Sequence, residues 1–475
     1  MTQLHDLSAL EQAAAIRNGE VSPVELVDHY LARVEAHSAA LGAFVTVTDE
    51  AARAQAKAAE AAVTGADDPD GLPPLHGVPT AIKDLNLTAG VRTTLGSRLY
   101  ADFVPPVDDH VVTLLRAAGT ISLGKTNTPE FGLPCYTENG VAPPARTPWD
   151  PSRSAGGSSG GAAAAVAAGL VPFAQGSDGG GSIRIPASAC GLFGLKVARG
   201  RVSNGPLAGD ITGLAWSGPL ARTVADAAAM LDAIGVPMPG DPHWAPPLPA
   251  GETFLAHAGR EPGRLRIGRW IDPVIPGAEV APECRQAFQD ATALLTDLGH
   301  EVVDAAPPFG ADAIPLFETV WSVAAHGAPV DPARAGELMP LTAWLRERGR
   351  AVSGPEFATA QGTLQMLCRA GLVALAEFDA VLTPTLAQLP PPIGWFTETG
   401  DPADDFERQK RFTPYTATIN MTGQPAVSLP LHWTAAGLPV GVMLAGRPAG
   451  EASLLSLSAQ LEAARPWRGR HPAGW

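Results

Sequence analysis

Gly176-Ser177-Asp178-Gly179-Gly180-Gly181-Ser182-Ile183-Arg184-Ile185-Pro186 is the stretch that decides how this chain reads. Three consecutive glycines run into a serine, with an aspartate before them and an arginine just after. Glycine has no Cβ, so backbone built from it can approach a ligand closely. A row of free N–H groups beside a serine hydroxyl can receive an oxyanion next to a nucleophile. A flexible glycine-rich turn is the plain alternative. The surrounding segment, Ser154 to Gly194, holds 11 glycines in 41 residues. It opens on a second serine cluster, Gly156-Gly157-Ser158-Ser159-Gly160-Gly161.

A serine nucleophile needs a base. The 11 histidines are scattered, mostly in expected loops or on helix faces, and no HExxH or HxxxH occurs, so neither a His base nor a metal site is supported. Lysines are few: Lys57, Lys83, Lys125, Lys196 and Lys410. Lys83 ends the apolar run Pro79-Thr80-Ala81-Ile82-Lys83. A buried lysine, unlike an arginine, loses its proton readily and can then act as a base. Two serine clusters and a lysine in an apolar run, without a catalytic His, favour a Ser/Lys site.

Other patterns lack their structural context. Gly119 to Thr126 fits GxxxxGK[ST], but a helix precedes it and the would-be loop carries β-branched strand residues, the reverse of a phosphate-binding loop. Ser122-x-x-Lys125 has the same misfit. Gly156 to Gly161 satisfies GxSxG twice. A loop, Arg146 to Ser154, precedes it where a nucleophile elbow needs a strand.

Working outward, Ser8-x-x-Glu11 and Ser22-Pro23-Val24-Glu25 are capping boxes that start two helices. Asp49 to Ala62 reads as a third. Thr80–Leu87, Thr120–Leu123, Val171–Ala174, Leu265–Trp270, Glu301–Asp304, Ala380–Leu382, Ala426–Leu431 and Val440–Leu444 read as strands. Helices are expected over His110–Ala118, Ala162–Ala168, Thr223–Ile234, Pro282–Leu298, Glu356–Leu375 and Gly450–Ala464. This alternation predicts an α/β fold, a mixed or parallel sheet covered by helices. Gly240 to Pro249 is the best junction between sub-regions.

The chain has 475 residues, 45% hydrophobic and 17% charged, which excludes general disorder. Gly (51) and Pro (46) are in excess without a Gly-X-Y period, so collagen is excluded. A net charge of −15 argues against nucleic acid and anionic membranes as partners. Cys135, Cys190, Cys284 and Cys368 form no CxxC pair, and reduced thiols in a cytoplasm are the expectation. The first 20 residues lack a signal-peptide apolar core.

The chain resembles the amidase signature family of serine amidohydrolases. The resemblance rests on Gly77-Val-Pro-Thr-Ala-Ile-Lys83-Asp84, Leu123 to Phe131, Gly156 to Gly161, Gly176 to Pro186 and Cys190 to Lys196. Asn420 to Pro425 and Gly437 to Gly441 add to it, and the match is weakest between about 240 and 380. It implies an α/β fold with a mixed twisted β-sheet core covered by helices on both faces, in one domain over 1–475: a helical segment (1–65), a catalytic core (66–235), a variable substrate-side region (240–380) and the rest of the core (381–475). It implies Ser182 as nucleophile, Ser158 as bridging serine and Lys83 as base, with a cis Gly157–Ser158 peptide. Gly179, Gly180 and Gly181, with the Ser182 N–H, would form the oxyanion hole. Asp178, Ser159 and Arg184 would support it. Asp84 is expected to point away from Lys83, while Lys125 and Lys196 are expected to be structural.

No cofactor is implied. The expected partners are a small amide or carbamate substrate and water, in a monomer or homodimer. Candidate pocket residues are Cys135, Tyr136, Trp216, Phe317, Trp321 and Phe396, each equally compatible with a core position. They suggest a largely apolar pocket. The resemblance, closest in kind to bacterial general amidases, implies a small apolar or aryl amide as substrate, with an extension to carbamates (urethanes), nylon-type oligoamides and esters. A glutaminase-type subunit of a tRNA-dependent amidotransferase is the alternative within the family. The Tyr-rich segment of that subunit is missing from Arg369 to Phe378. An α/β-hydrolase-like esterase, using Ser158 or Ser159 with a His, is the alternative outside it.

Overall fold

Both capping boxes form. Ser8 Oγ accepts from the Glu11 N–H at 3.2 Å and Glu11 accepts from the Ser8 N–H at 2.8 Å, starting the helix Ala9–Arg17. Ser22 and Glu25 repeat this at 3.1 and 2.9 Å ahead of the helix Pro23–Leu41. The computed structural model describes residues 3–207 and 209–475. Met1, Thr2 and Ala208 lie outside the described residues.

Eleven strands are present among the described residues: β1 (Phe44–Val47), β2 (Pro79–Lys83), β3 (Ile121–Thr126), β4 (Phe173–Asp178), β5 (Phe193–Lys196), β6 (Trp216–Ala221), β7 (Arg266–Arg269), β8 (Glu301–Asp304), β9 (Ala380–Pro384), β10 (Ala426–Trp433) and β11 (Pro439–Gly446). They form a three-stranded sheet, β1-β3-β2, and an eight-stranded sheet, β4-β6-β5-β10-β11-β9-β7-β8. The larger sheet is parallel at its β9-β7-β8 end and antiparallel elsewhere, so it is mixed. Successive strand residues point to opposite faces. Every residue of β11 is buried, so both faces of the sheet are covered there.

Several elements depart from the sequence reading. The expected strand Thr80–Leu87 stops at Lys83, because a turn closes from the Asn86 N–H to the Lys83 carbonyl at 3.0 Å. The expected Val171–Ala174 strand instead runs from Phe173 to Asp178, directly into the glycine loop. Strands β1, β5 and β6 were not expected. β6 hides behind its own composition, Trp-Ser-Gly-Pro-Leu-Ala, where Gly and Pro oppose a strand reading. The helices Ala313–His326, Pro340–Ala351 and Pro402–Phe412 were also unassigned, and the first and last of them line the site described next.

The two sheets meet where β2 lies along edge strand β4. Side chains make the join. Thr80 Oγ donates to the Phe173 carbonyl at 3.2 Å, and Gln175 Oε1 accepts from the Lys83 N–H at 2.9 Å. This contact brings the end of β2, which carries Lys83, beside the end of β4, which carries Asp178. All four cysteines are free and buried.

Candidate active site

Lys83 is fully buried. Its Nζ donates to Ser158 Oγ at 2.7 Å, to Ser177 Oγ at 3.0 Å and to the Ser177 carbonyl at 3.3 Å. No carboxylate pairs with it among the described residues. Burial pushes the Lys83 ammonium down to about 7, against an upward pull from the Asp178 charge. Near neutral pH a large share of Lys83 is therefore the free amine. Ser177, which sequence reasoning did not single out, supplies two of these three contacts.

Ser158 sits at the cis Gly157–Ser158 peptide. Gly157 is required by space, since a Cβ there would lie 2.7–2.8 Å from the Tyr136 backbone. Ser159 ties this loop to β4. Its N–H donates to the Ser182 carbonyl at 3.1 Å, and its hydroxyl exchanges hydrogen bonds with the Ser177 backbone at 3.2 Å. Ser182 is 7% exposed, and its hydroxyl has no hydrogen-bond partner among the described residues. The Ser158 and Ser182 hydroxyls are not hydrogen-bonded to each other here.

Asp178 organises the glycine loop. Its carboxylate accepts from the N–H groups of Gly181 (2.8 Å), Ile183 (3.1 Å) and Arg184 (3.4 Å). It also accepts from Arg184 Nη2 (2.9 Å) and Nε (3.0 Å) and from Asn420 Nδ2 (2.9 Å). Burial alone would raise this carboxyl. The Arg184 charge and hydrogen bonds, the Lys196 charge and Asn420 outweigh it and hold Asp178 well below the usual carboxylate range.

This arrangement corrects one expectation. The Gly181 N–H is committed to Asp178, so it is not free for an oxyanion. The N–H groups of Gly179, Gly180 and Ser182 have no partner among the described residues. Gly181 is needed for a different reason. It sits at φ +132°, and a Cβ there would run into Thr416 Oγ1. That hydroxyl donates to the Gly180 carbonyl at 2.6 Å, bracing the loop from the helix Thr416–Thr422.

A buried lysine, two serines and N–H groups without partners among the described residues thus converge at the join of the two sheets. A family model for amidases matches residues 25–455. The chain belongs to the amidase family. Members of this family are hydrolases acting on amides. The amidase is 36% identical to a 6-aminohexanoate-cyclic-dimer hydrolase of Paenarthrobacter ureafaciens, covering 98% of this chain and 96% of that one. It is 35% identical to one of the subunits of the glutamyl-tRNA(Gln) amidotransferase of Roseiflexus sp., covering 99% of each chain. A solved 6-aminohexanoate cyclic dimer hydrolase with substrate bound superposes with a TM-score of 0.90 at 33% identity, covering 99% of each chain. Two relatives with different substrates are almost equally similar, so relatedness alone leaves the substrate open.

Ser182 and Gly180 open into a cavity of about 100 Å³. Its walls include Cys135, Ile185, Val274, Ile275, Phe317 and Trp321. Phe317 and Trp321 stack at 5.5 Å, and the Trp321 ring lies 3.6 Å from where a Gly179 Cβ would be. Three of the six candidate pocket residues therefore line the cavity, and three do not. Tyr136 and Phe396 stack on each other at 4.6 Å in an adjoining core cluster. Trp216 is held edge-on by His243 beside a separate depression. Aromatic side chains fill cores as well as pockets, so composition did not separate these cases.

Sequence reasoning missed the wall built by Phe406, Gln409, Lys410, Thr413 and Thr418. The apolar spacing Ile314, Phe317, Trp321 marks the helical face opposite them, a periodicity legible in the sequence. The other buried charges take structural roles in this amidase. Asp84 turns to Lys125 (3.9 Å) and the Thr94 N–H (2.9 Å), away from Lys83. Lys125 Nζ also donates to Thr93 Oγ1 at 2.9 Å, and Lys196 Nζ to the carbonyls of Val197 (2.9 Å) and Gln424 (2.8 Å). No histidine hydrogen-bonds Ser158, Ser159 or Ser182 among the described residues, which removes the base an α/β-hydrolase-like esterase needs. No helix among the described residues is long and apolar enough to cross a membrane.

Proposed function

We propose that this chain is a serine amidohydrolase that cleaves small, largely apolar or aryl amides through Ser182, Ser158 and Lys83. The observation that carries this reading is a fully buried lysine, without a carboxylate partner, donating to Ser158 at 2.7 Å. Neutral Lys83 takes the Ser158 proton as Ser158 takes that of Ser182, and Ser182 Oγ attacks the carbonyl carbon. A turn of the Ser182 hydroxyl toward Ser158 on substrate binding closes this path; such contacts are often open in free enzymes. The N–H groups of Gly179, Gly180 and Ser182 hold the oxyanion, an effect worth about 3–4 kcal/mol per donor in comparable sites. Collapse expels the amine, which leaves with the proton returned through Ser158. Water then repeats the path on the acyl-enzyme and frees the acid.

The cavity walls favour an apolar acyl or aryl group, and the same chemistry extends to carbamates, nylon-type oligoamides and esters. A glutaminase-type subunit is the second reading, favoured by the similarity to part of a glutamyl-tRNA(Gln) amidotransferase. Free glutamine would bring two charged groups into this largely apolar cavity, and desolvating them unpaired is costly. A panel of anilides, short aliphatic amides, carbamates, p-nitrophenyl esters and glutamine tests the choice. Turnover of anilides or carbamates by the isolated chain is expected. Reaction with glutamine alone, and only beside partner subunits, would move the reading to the amidotransferase.

Lys83 also sets a pH dependence. Its pKa is lowered to about 7, so the active free amine accumulates as pH rises through that value. A kcat/KM profile on an uncharged anilide is expected to climb about tenfold per unit below pH 7 and to level above it. Asp405, hydrogen-bonded to Tyr136 behind Cys135, is raised by burial to about 6. A limb centred near 6 that vanishes in Asp405→Asn would assign the titration there instead of to Lys83.

A further inference from the structure

The polar side chains of the catalytic cavity are nearly all satisfied from within. Gln409 Oε1 accepts from the Cys135 N–H at 2.9 Å, and its Nε2 donates to Asp405 at 2.8 Å. Lys410 Nζ contacts Glu318 and Glu407, each at 2.5 Å. Thr413 Oγ1 donates to the Gln409 carbonyl at 3.0 Å. Thr418 differs. It is 3% exposed and lines the cavity, yet its hydroxyl has no partner among the described residues. That oxygen is not among the fully enclosed unpartnered atoms either, so it keeps contact with the cavity space.

Its position is set by its helix. Thr416 and Asn420, four residues apart, share the face that binds the glycine loop: Thr416 donates to the Gly180 carbonyl and Asn420 donates to Asp178. Ala417, Thr418 and Met421 then line the cavity. Thr418 and Ser182 are the two hydroxyls there without partners among the described residues. Ser182 is consumed by the reaction. A nearly buried hydroxyl left unpaired costs free energy unless an occupant satisfies it.

We propose that Thr418 is a specificity residue that binds a second amide group of the substrate, one separate from the amide that is cleaved. A secondary amide suits it because a threonine hydroxyl can either donate to its carbonyl or accept from its N–H. The substrate is then a molecule with at least two amides on an otherwise apolar body. This rests on the hydrolase reading above and narrows its substrate class.

The test uses p-nitroanilides of equal acyl length. One has a plain alkyl chain, and the others carry an internal secondary amide in place of two methylenes, at successive positions. The wild-type chain is expected to favour one internal-amide member over the plain chain. Thr418→Val, nearly isosteric, should cut that preference ratio about 5–10-fold, the size of one buried hydrogen bond. Thr418→Ser should restore it. A misfolded variant would lower both rates without moving the ratio. An unchanged ratio in Thr418→Val, or no preference at any position, overturns the proposal and leaves the hydroxyl to water. Failure of wild-type to cleave any anilide would instead strike the hydrolase reading itself.

Discussion

A Ser182→Ala variant is expected to lose amide hydrolysis by at least about 10⁴-fold, the scale on which removing a covalent nucleophile acts. It should do so without unfolding. The Ser182 hydroxyl makes no hydrogen bond among the described residues, so its removal leaves no partner stranded there. The backbone links that shape the loop remain, from the Ser159 N–H to the Ser182 carbonyl and from Gly181 and Ile183 to Asp178. Thermal unfolding should therefore stay within about 1 kcal/mol of the parent, the ordinary range for substitutions that strand no group. The check is product formation on an anilide beside a melting curve on the same sample. Full activity in a folded Ser182→Ala chain sinks the proposed nucleophile. Residual activity at the level supplied by free N–H donors and binding does not.

How much of this was legible beforehand differs by residue. The capping boxes, the β-α-β run ending in β8 and the last two strands follow from local pattern, and the structure has them within a few residues. The meeting of Lys83 with Ser158, 75 positions apart, is a tertiary fact that no local pattern encodes. It was expected only because the motifs resemble those of a known family. The loss of the Gly181 donor was not legible. Three successive glycines look alike in sequence, and which N–H turns inward depends on backbone angles such as the +132° at Gly181. The cavity wall from Phe406 to Thr418 was hidden for another reason. Those residues lie more than 200 positions from Ser182, and Phe406, Gln409 and Lys410 sit on the helix Pro402–Phe412, whose composition reads as ordinary surface.

Asp178→Ala is expected to be the most damaging change to the fold at the site. Asp178 and Arg184 are both fully buried and joined by two side-chain hydrogen bonds at 2.9 and 3.0 Å. Replacing such a pair together can be nearly neutral, but removing one partner strands the other charge in low dielectric, at a cost of about 3–5 kcal/mol. Arg184 would keep the Thr416 carbonyl (3.0 Å) and Asn420 Oδ1 (2.6 Å), which are dipoles rather than a counter-charge. The depressed folded pKa gives the sign with pH. The stabilisation from Asp178 is complete above its unfolded value near 3.9 and is lost only as pH falls through the lower folded value. At pH 7 the variant therefore loses the full amount, readable as a drop in the urea midpoint. Activity should fall with it even where the chain stays folded, because Gly181 and Ile183 lose the acceptor that aims the neighbouring N–H groups. Asp178→Asn separates the two effects. It keeps an acceptor for the loop but removes the charge, so it should retain more activity than Asp178→Ala while still losing stability. Equal stability in all three chains would show that Arg184 is not held by this carboxylate.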